Sequence, residues 1–373
     1  ARDITVSNGL FAVSFAVETA PPWGVARGGI VDIAPLRNGQ PDFDIASLAD
    51  FMPNNWSSWP TTYQKVSVER SSATEAVIRT VRDWGDVELD TRFHIRDEDS
   101  RIHIVTQMTN TGTATLDDLL SGYVVWPDGG HLVADPVVSS SEAVHAAGGW
   151  TAAYDEHWML GLHAPFSGYE TRRGRDRYTQ HVLEAGATRT FEAWLQIANE
   201  GALAPMVRTE IEFGNLDSGR IVGTVESNDG EGVPRPAVVA SRNGHAFAWS
   251  LGRNGAYALD LPTGTYDVYA TAAGYGRGES QEVVIGVGSE TRIDFDDVRL
   301  PGSVRFQVSD SVTGRPHDAR IRILDGDTPL IGYFGKSTFF TELADVGALS
   351  QPLAPGRYVL EVAAGSGFVS LPQ

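Results

Sequence analysis

The residues best suited to hold a ligand lie in Phe51-Met-Pro-Asn-Asn-Trp56-Ser-Ser-Trp59-Pro-Thr-Thr-Tyr63, a segment with the period of neither strand nor helix that carries four aromatic residues in thirteen. Aromatic rings on a polar loop offer flat apolar faces to a sugar ring or to a partner's apolar surface. Asn54, Asn55 and Ser57 stand beside them as hydrogen-bonding groups. The same loop could instead fold over its own sheet and bury Trp56 and Trp59 as a plug. The basic run of the chain is Arg172-Arg173-Gly-Arg175-Asp-Arg177. Guanidinium forks suit carboxylate or phosphate, although such a run also serves as a solvated hairpin tip. The candidate binding residues are therefore Trp56, Trp59, Tyr63, Arg172, Arg173 and Arg175.

Acid–base and metal chemistry is harder to place. None of the nine histidines has a partner at the His-Glu-x-x-His spacing of a helical zinc site. The densest polar group, Asp155-Glu156-His157 with His163, sets its two histidines six residues apart. On one straight strand that is about 20 Å, too far to share an ion. No metal ligand and no cofactor is assigned within this chain. Large β-sandwiches of sugar-epimerising enzymes use His and Glu as acid and base on a sheet face, for which His94, His103, His131 and His157 with Glu88 or Glu156 supply the residue types. Their spacing fixes no mutual geometry, so no residue is assigned as catalytic.

The elements that must carry these residues read as strands. Forty glycines, nineteen prolines and abundant Val, Thr, Tyr and Trp favour strands and turns. Val87-Glu-Leu-Asp-Thr-Arg-Phe-His-Ile95 alternates apolar and polar residues, as a strand with one core face does. Arg96-Asp-Glu-Asp-Ser100 then joins it to a second such strand. Short helices are expected over 42–49, capped by Asp42 or Asp44, and over 140–147. With 29 basic and 48 acidic residues the net charge is −19, which argues against nucleic acid and anionic membranes as partners. No apolar run approaches the ~20 residues of a membrane span. Cysteine is absent, which excludes disulfides and thiol chemistry. Lysine occurs only at Lys65 and Lys336, a bias we attribute to base composition. The chain starts at Ala1 without Met, as a mature chain does after removal of a signal peptide, so a secreted or periplasmic location is expected.

The fold class expected is all-β: a large antiparallel β-sandwich over 1–213, then two small tandem immunoglobulin- or transthyretin-like sandwiches over 218–299 and 300–373. The tandem is read from a repeated phrase, Leu261-Pro-Thr-Gly-Thr-Tyr266 and Leu353-Ala-Pro-Gly-Arg-Tyr358, each setting a Pro and Gly turn before an alternating strand. Similar preludes precede both, Gly232-Val-Pro-Arg-Pro-Ala-Val-Val and Gly314-Arg-Pro-His-Asp-Ala-Arg-Ile.

On Gly232-Val-Pro-Arg-Pro-Ala-Val-Val, Gly255-Ala-Tyr257, Leu-Pro-Thr-Gly-Thr-Tyr266 and Ala-Ala-Gly-Tyr275, residues 219–299 resemble the carboxypeptidase regulatory-like family of transthyretin-type sandwiches. The order of the three parts resembles the N-terminal, β-rich portion of exported metal-dependent hydrolases of the PHP class, the group that includes carbaryl-hydrolase-like enzymes. That resemblance implies a further catalytic domain holding a divalent metal through a His-x-His motif, and no His-x-His occurs here. The expectation is a non-catalytic accessory portion of a secreted hydrolase, positioning substrate, bracing the enzyme or aiding assembly. Its partner would be a catalytic domain or chain following Gln373. The alternative is a carbohydrate-binding or mutarotase-like protein acting through the sheet face of the large sandwich on a carbohydrate or another small molecule.

Overall fold

The computed structural model describes residues 3–21, 27–56, 63–134, 144–145, 149–171, 175–326, 338–342 and 344–365. Two compact units divide the chain, Ala1–Gly201 and Ala202–Gln373.

The described strands of the first unit are β1 (Ile4–Ser7), β2 (Phe11–Phe15), β3 (Ile30–Arg37), β4 (Gln40–Pro41), β5 (Ala46–Met52), β6 (Tyr63–Ser71), β7 (Glu75–Asp83), β8 (Val87–Arg96), β9 (Arg101–Asn110), β10 (Leu116–Pro127), β11 (His131–Ala134), β12 (Val144–His145), β13 (Trp150–Tyr154), β14 (Met159–His163), β15 (Tyr169–Thr171), β16 (Asp176–Leu183) and β17 (Thr188–Ala198). They build two antiparallel sheets. The first runs β1-β2-β3-β5-β10-β16-β15-β12, with β4 on β3, and the second runs β11-β13-β14-β17-β9-β8-β7-β6.

Alternation decides which side chains meet. In β8, Val87, Leu89, Thr91, Phe93 and Ile95 are buried, whereas Glu88, Asp90, Arg92 and His94 between them keep part of their surface in water. Phe93 meets Phe15 of the first sheet edge-on, with ring centroids 5.0 Å apart, and Phe51 packs on Tyr123 at 5.0 Å and on Phe191 at 4.8 Å. The two sheets thus face each other across one core, in which each fully buried Phe or Leu contributes about 1.5–3 kcal/mol. The fully buried Tyr123 hydroxyl stays satisfied by donating to Thr106 Oγ1 at 2.9 Å, and burial pushes its pKa up. A buried ion pair also lies here: Arg82 donates through Nη1 and Nη2 to the two carboxylate oxygens of Asp50, at 2.5 and 2.8 Å.

The helix expected over 42–49 is not formed. Residues 46–52 are β5, paired with β10 and with β3. Both of its faces are covered, which hides the two-residue alternation. Asp44 accepts from the backbone N–H groups of Ala46 and Ile33 at 3.0 and 3.3 Å, steering the chain into a strand. Of 140–147 only Val144 and His145 are described, as β12, so the rest of that expected helix lies outside the described residues.

The second unit opens with a helix absent from the sequence expectations, α1 (Ala204–Gly214), which packs on β20 and β21 of the strands that follow. These are β18 (Ser218–Ser227), β19 (Ala237–Arg242), β20 (His245–Leu251), β21 (Ala256–Pro262), β22 (Gly264–Thr271), β23 (Gln281–Ile285), β24 (Glu290–Arg292) and β25 (Phe295–Val298). They form the sheets β21-β18-β24, with β25 on β18, and β20-β19-β22-β23. Beyond them β26 (Gly302–Gln307), β27 (Arg320–Asp325), β28 (Thr338–Phe340), β29 (Ala348–Leu353) and β30 (Val359–Ala363) form the sheets β26-β29 and β28-β27-β30 around Ile321, Ile323, Phe339 and Leu349.

The repeated phrase has a physical counterpart. The Tyr266 hydroxyl donates to Pro262 O at 3.0 Å and the Tyr358 hydroxyl donates to Ala354 O at 2.7 Å. Each tyrosine thus ties its strand to the carbonyl four residues upstream, a corner of the kind that closes small sandwiches.

Candidate functional site

Strand β10 is apolar on both sides. Tyr123 and Val125 enter the core between the sheets, whereas Val124 belongs to a second cluster with Leu48, Met52 and Tyr178. Register places these on one face of the first sheet, since Trp126 lies opposite Leu48, and Gly122 lies opposite both Met52 and Tyr178. Half-buried Trp56, Leu120, Trp126 and Tyr169 pack onto this cluster.

A polar knot sits among these rings. Asp176, the first residue of β16 and wholly buried, lies opposite Thr171 of β15. Its carboxylate accepts from Trp56 Nε1 at 2.8 Å, Arg175 Nε at 2.8 Å, Thr171 Oγ1 at 3.2 Å and Arg175 Nη2 at 3.5 Å. The Arg175 guanidinium carbon lies 3.9 Å from the centroid of the Trp126 ring, and Trp56 meets Trp126 edge-on at 6.0 Å and 89°. Cation–π contact and ion pair together fix the guanidinium plane. Trp56 is held in the left-handed region, φ 61°, and Asn55 before it has φ 28°. A bulky residue there stores about 1–3 kcal/mol of strain. The loop is anchored against that strain, because Asn54 Oδ1 accepts from Leu120 N at 3.0 Å and Asn55 N donates to Leu120 O at 2.8 Å.

Of the six candidate binding residues, the structure brings Trp56 and Arg175 together. Tyr63 begins β6 in the other sheet, paired with Asp83. Trp59, Arg172 and Arg173 lie outside the described residues. Trp126, Thr171, Tyr178 and Asp176 were not anticipated. Trp126 ends an apolar run that reads as core, and Asp176 lies 120 residues from the tryptophan it holds.

Two of the histidines, His94 and His103, meet on the opposite side of the unit. Across the outer face of the second sheet, Trp194 of β17 lies opposite His103 of β9, and His103 opposite His94 of β8. The His103 ring stacks on Trp194 at 4.9 Å and 9°, and lies 5.5 Å from that of His94. His103 Nε2 is 2.6 Å from Glu192 Oε1, and His94 Nδ1 is 3.4 Å from Glu75 Oε1. Burial pushes the His103 pKa down against the Glu192 hydrogen bond. The Glu75 carboxyl is held below its usual range: burial opposes this, but the Arg70 and His94 hydrogen bonds outweigh it. Of the acid–base candidates, His94 and His103 therefore meet, with Glu75 and Glu192 as partners instead of Glu88 and Glu156. His131 stands by Tyr154 and His157 by Phe43. His157 and His163 do not share a strand. Asp155 caps a turn by accepting from the backbone N–H groups of His157 and Trp158, and β14 starts only at Met159. His163 is buried, 2.8 Å from Gln196 Oε1. Among the described residues, no group of three or more His, Asp or Glu could hold a metal ion, and no helix is long and apolar enough to cross a membrane.

The fold is all-β, built of sandwich sheets that are antiparallel except where β24 and β25 run parallel to β18. Within it, residues 220–297 match the carboxypeptidase regulatory-like domain, the span in which the sequence resemblance was found. No curated protein matches the chain. Solved structures similar to it include a galactose mutarotase related enzyme from Lactobacillus acidophilus, 8% identical over 53% of this chain and 98% of that one, with a TM-score of 0.33. Another is the Slr1438 protein from Synechocystis sp. PCC 6803, 8% identical over 53% of this chain and 96% of that one, with a TM-score of 0.35. A third is the α-galactosidase AgaA from Geobacillus stearothermophilus, solved with stachyose, 10% identical over 57% and 42% of the two chains, with a TM-score of 0.33.

Proposed function

We propose that the large sandwich is a carbohydrate-binding domain, and that the Trp56, Trp126 and Arg175 face of its first sheet is the binding surface. The observation that carries this reading is the half-buried tryptophan pair set edge-on beside an immobilised guanidinium. Indole rings supply apolar faces for pyranose C–H groups, and oriented N–H donors supply the polar part of recognition. Asp176 organises this surface instead of transferring protons, because its buried oxygens already accept four hydrogen bonds. Binding without catalysis agrees with an accessory, substrate-positioning role in a secreted protein. The attached enzyme would be a metal-dependent hydrolase carried by a domain or chain after Gln373, with the divalent metal held there. Calorimetry against a panel of soluble polysaccharides tests the binding reading. Trp126→Ala should weaken the best ligand by at least about tenfold, the loss of roughly 1.4 kcal/mol, while far-UV circular dichroism stays unchanged. A panel without a single binder would overturn the proposal.

A second reading rests on the outer face of the second sheet. There the His103 and Glu192 pair, with the imidazole pKa lowered, has the parts of an acid–base dyad for a mutarotase-like reaction. Polarimetry of freshly dissolved aldoses decides it: acceleration abolished by His103→Ala supports the reading, and mutarotation at the buffer rate removes it.

A further inference from the structure

We propose that the ligand of the Trp56, Trp126 and Arg175 face is an acidic saccharide, and that the free end of the Arg175 guanidinium receives its carboxylate. This inference rests on the carbohydrate-binding reading and narrows it to uronate-bearing sugars.

A guanidinium has five N–H bonds in one plane. Asp176 takes the side edge of Arg175, through Nε at 2.8 Å and Nη2 at 3.5 Å. The end edge, made of Nη1 and the second Nη2 hydrogen, keeps its donors, and Arg175 has no other hydrogen-bond partner among the described residues. Two parallel donors on a planar edge match a carboxylate in bidentate geometry.

The edge is also held still. Trp126 lies 3.9 Å beneath the guanidinium carbon. Asp176 cannot swing away, because it is fully buried and bonded to Trp56 and Thr171 as well. The Arg175 side chain retains 12% of its exposure, enough to reach a ligand while most of its stem is already ordered. Little rotamer entropy then remains to be lost on binding.

Arginine instead of lysine is no argument in a chain with two lysines; the geometry of the guanidinium is. Carboxylate is favoured over phosphate because the free edge presents one planar fork beside two indole rings, which suits a sugar acid.

The test compares oligogalacturonate with the same oligomer after reduction of its carboxyl groups, by calorimetry on the full chain at low and moderate salt. The carboxylate form should bind about ten- to a hundredfold tighter, the range of one charge-assisted bidentate contact, and the preference should shrink with salt. Arg175→Gln should erase the preference, weakening the carboxylate form by about ten- to a hundredfold and the reduced oligomer far less, and Arg175→Lys should keep only part of it. Arg79→Gln, on the other sheet, should keep all of it. Equal binding of the two oligomers by the unaltered protein overturns the acidic-ligand assignment and leaves carbohydrate binding standing. Inorganic phosphate displacing the uronate at equal concentration overturns it in favour of a general anion site. Failure of the whole neutral and acidic panel removes the carbohydrate reading itself. The wild-type comparison decides the matter even if a variant fails to fold.

Discussion

Replacing Asp176 tests whether the candidate surface is organised as described. Asp176→Ala removes an acceptor of zero exposure that receives two bonds at 2.8 Å, from Trp56 Nε1 and Arg175 Nε, and weaker ones at 3.2 and 3.5 Å. A hydrogen bond to a charged group contributes about 1.5–3 kcal/mol net, so the two short bonds are worth about 3–6 kcal/mol. Trp56 and Arg175 are only partly buried and can turn toward water, and release of the Trp56 backbone strain returns about 1 kcal/mol. The expected net loss is about 3 kcal/mol. For a unit of some 200 residues this lowers Tm by about 6–12 °C. Asp176→Asn keeps the shape and one carbonyl acceptor but turns an amide N–H₂ toward the donors, and should cost nearly as much. Both variants should redden tryptophan emission at 25 °C before global unfolding, because Trp56 leaves its place. Thermal unfolding followed by fluorescence and circular dichroism reads both effects. A Tm within 2 °C of wild type with unchanged emission would refute the claim that Asp176 holds Trp56 and Arg175 together.

Three other perturbations follow from the fold beneath this surface. Asp50→Ala strands the Arg82 guanidinium, whose side chain is 1% exposed, and should cost about 3–5 kcal/mol; adding Arg82→Met should recover most of that in urea unfolding, and a double variant no better than the single one would contradict it. Gly122→Ala places a Cβ 1.9 Å from Arg177 O. It should separate β10 from β16 and abolish both the cooperative transition of the first unit and ligand binding, whereas wild-type-like behaviour would show the two strands to be less closely paired. Asp44 has its pKa raised to about 7, by partial burial first and then by Asp32 and Asp128, against the lowering effect of the hydrogen bond its carboxylate accepts from the Ala46 N–H. Its folded state therefore holds a proton more tightly than the unfolded chain does. The stabilisation is full below about pH 4 and is lost as pH rises through 7, so Tm should fall over that interval in wild type and fall less in Asp44→Asn.

What was legible in the sequence depended on whether a pattern had one cause. Strands β8 and β9 alternate cleanly because one face meets the core and the other water. The register across their turn, which brings His94 opposite His103, is not read from the sequence and comes from the structure. Strand β5 carries no strand signature because both faces are covered, so Ala46-Ser-Leu-Ala-Asp-Phe-Met52 has no alternation, and the aspartates before it look like helix caps. Helix α1 went unseen for the converse reason. Its N-cap is Leu203, without a side-chain cap bond, and no acidic residue stands in its first turn.

The candidate surface shows the same limit at longer range. Trp56 and Arg175 drew notice by residue type, but only pairing of β10 with β5 and β16 brings the two loops together. The usable signal was in β10 itself. Leu119-Leu-Ser-Gly-Tyr-Val-Val-Trp126 is apolar at both phases of the strand, which for an antiparallel sheet means that its second face is also covered or binds something. Gly122 sharpens the point, since a strand this apolar has no local use for glycine and a side chain there would collide with the backbone of β16. Close approach of β16 brings its first residue, Asp176, within 2.8 Å of Trp56 Nε1. The same tight pairing that makes the sheet rigid therefore positions the carboxylate that orients Arg175, so loss of binding and loss of stability should travel together at Gly122, at Asp176 and at Arg175, whose removal leaves a buried carboxylate without its charged partner.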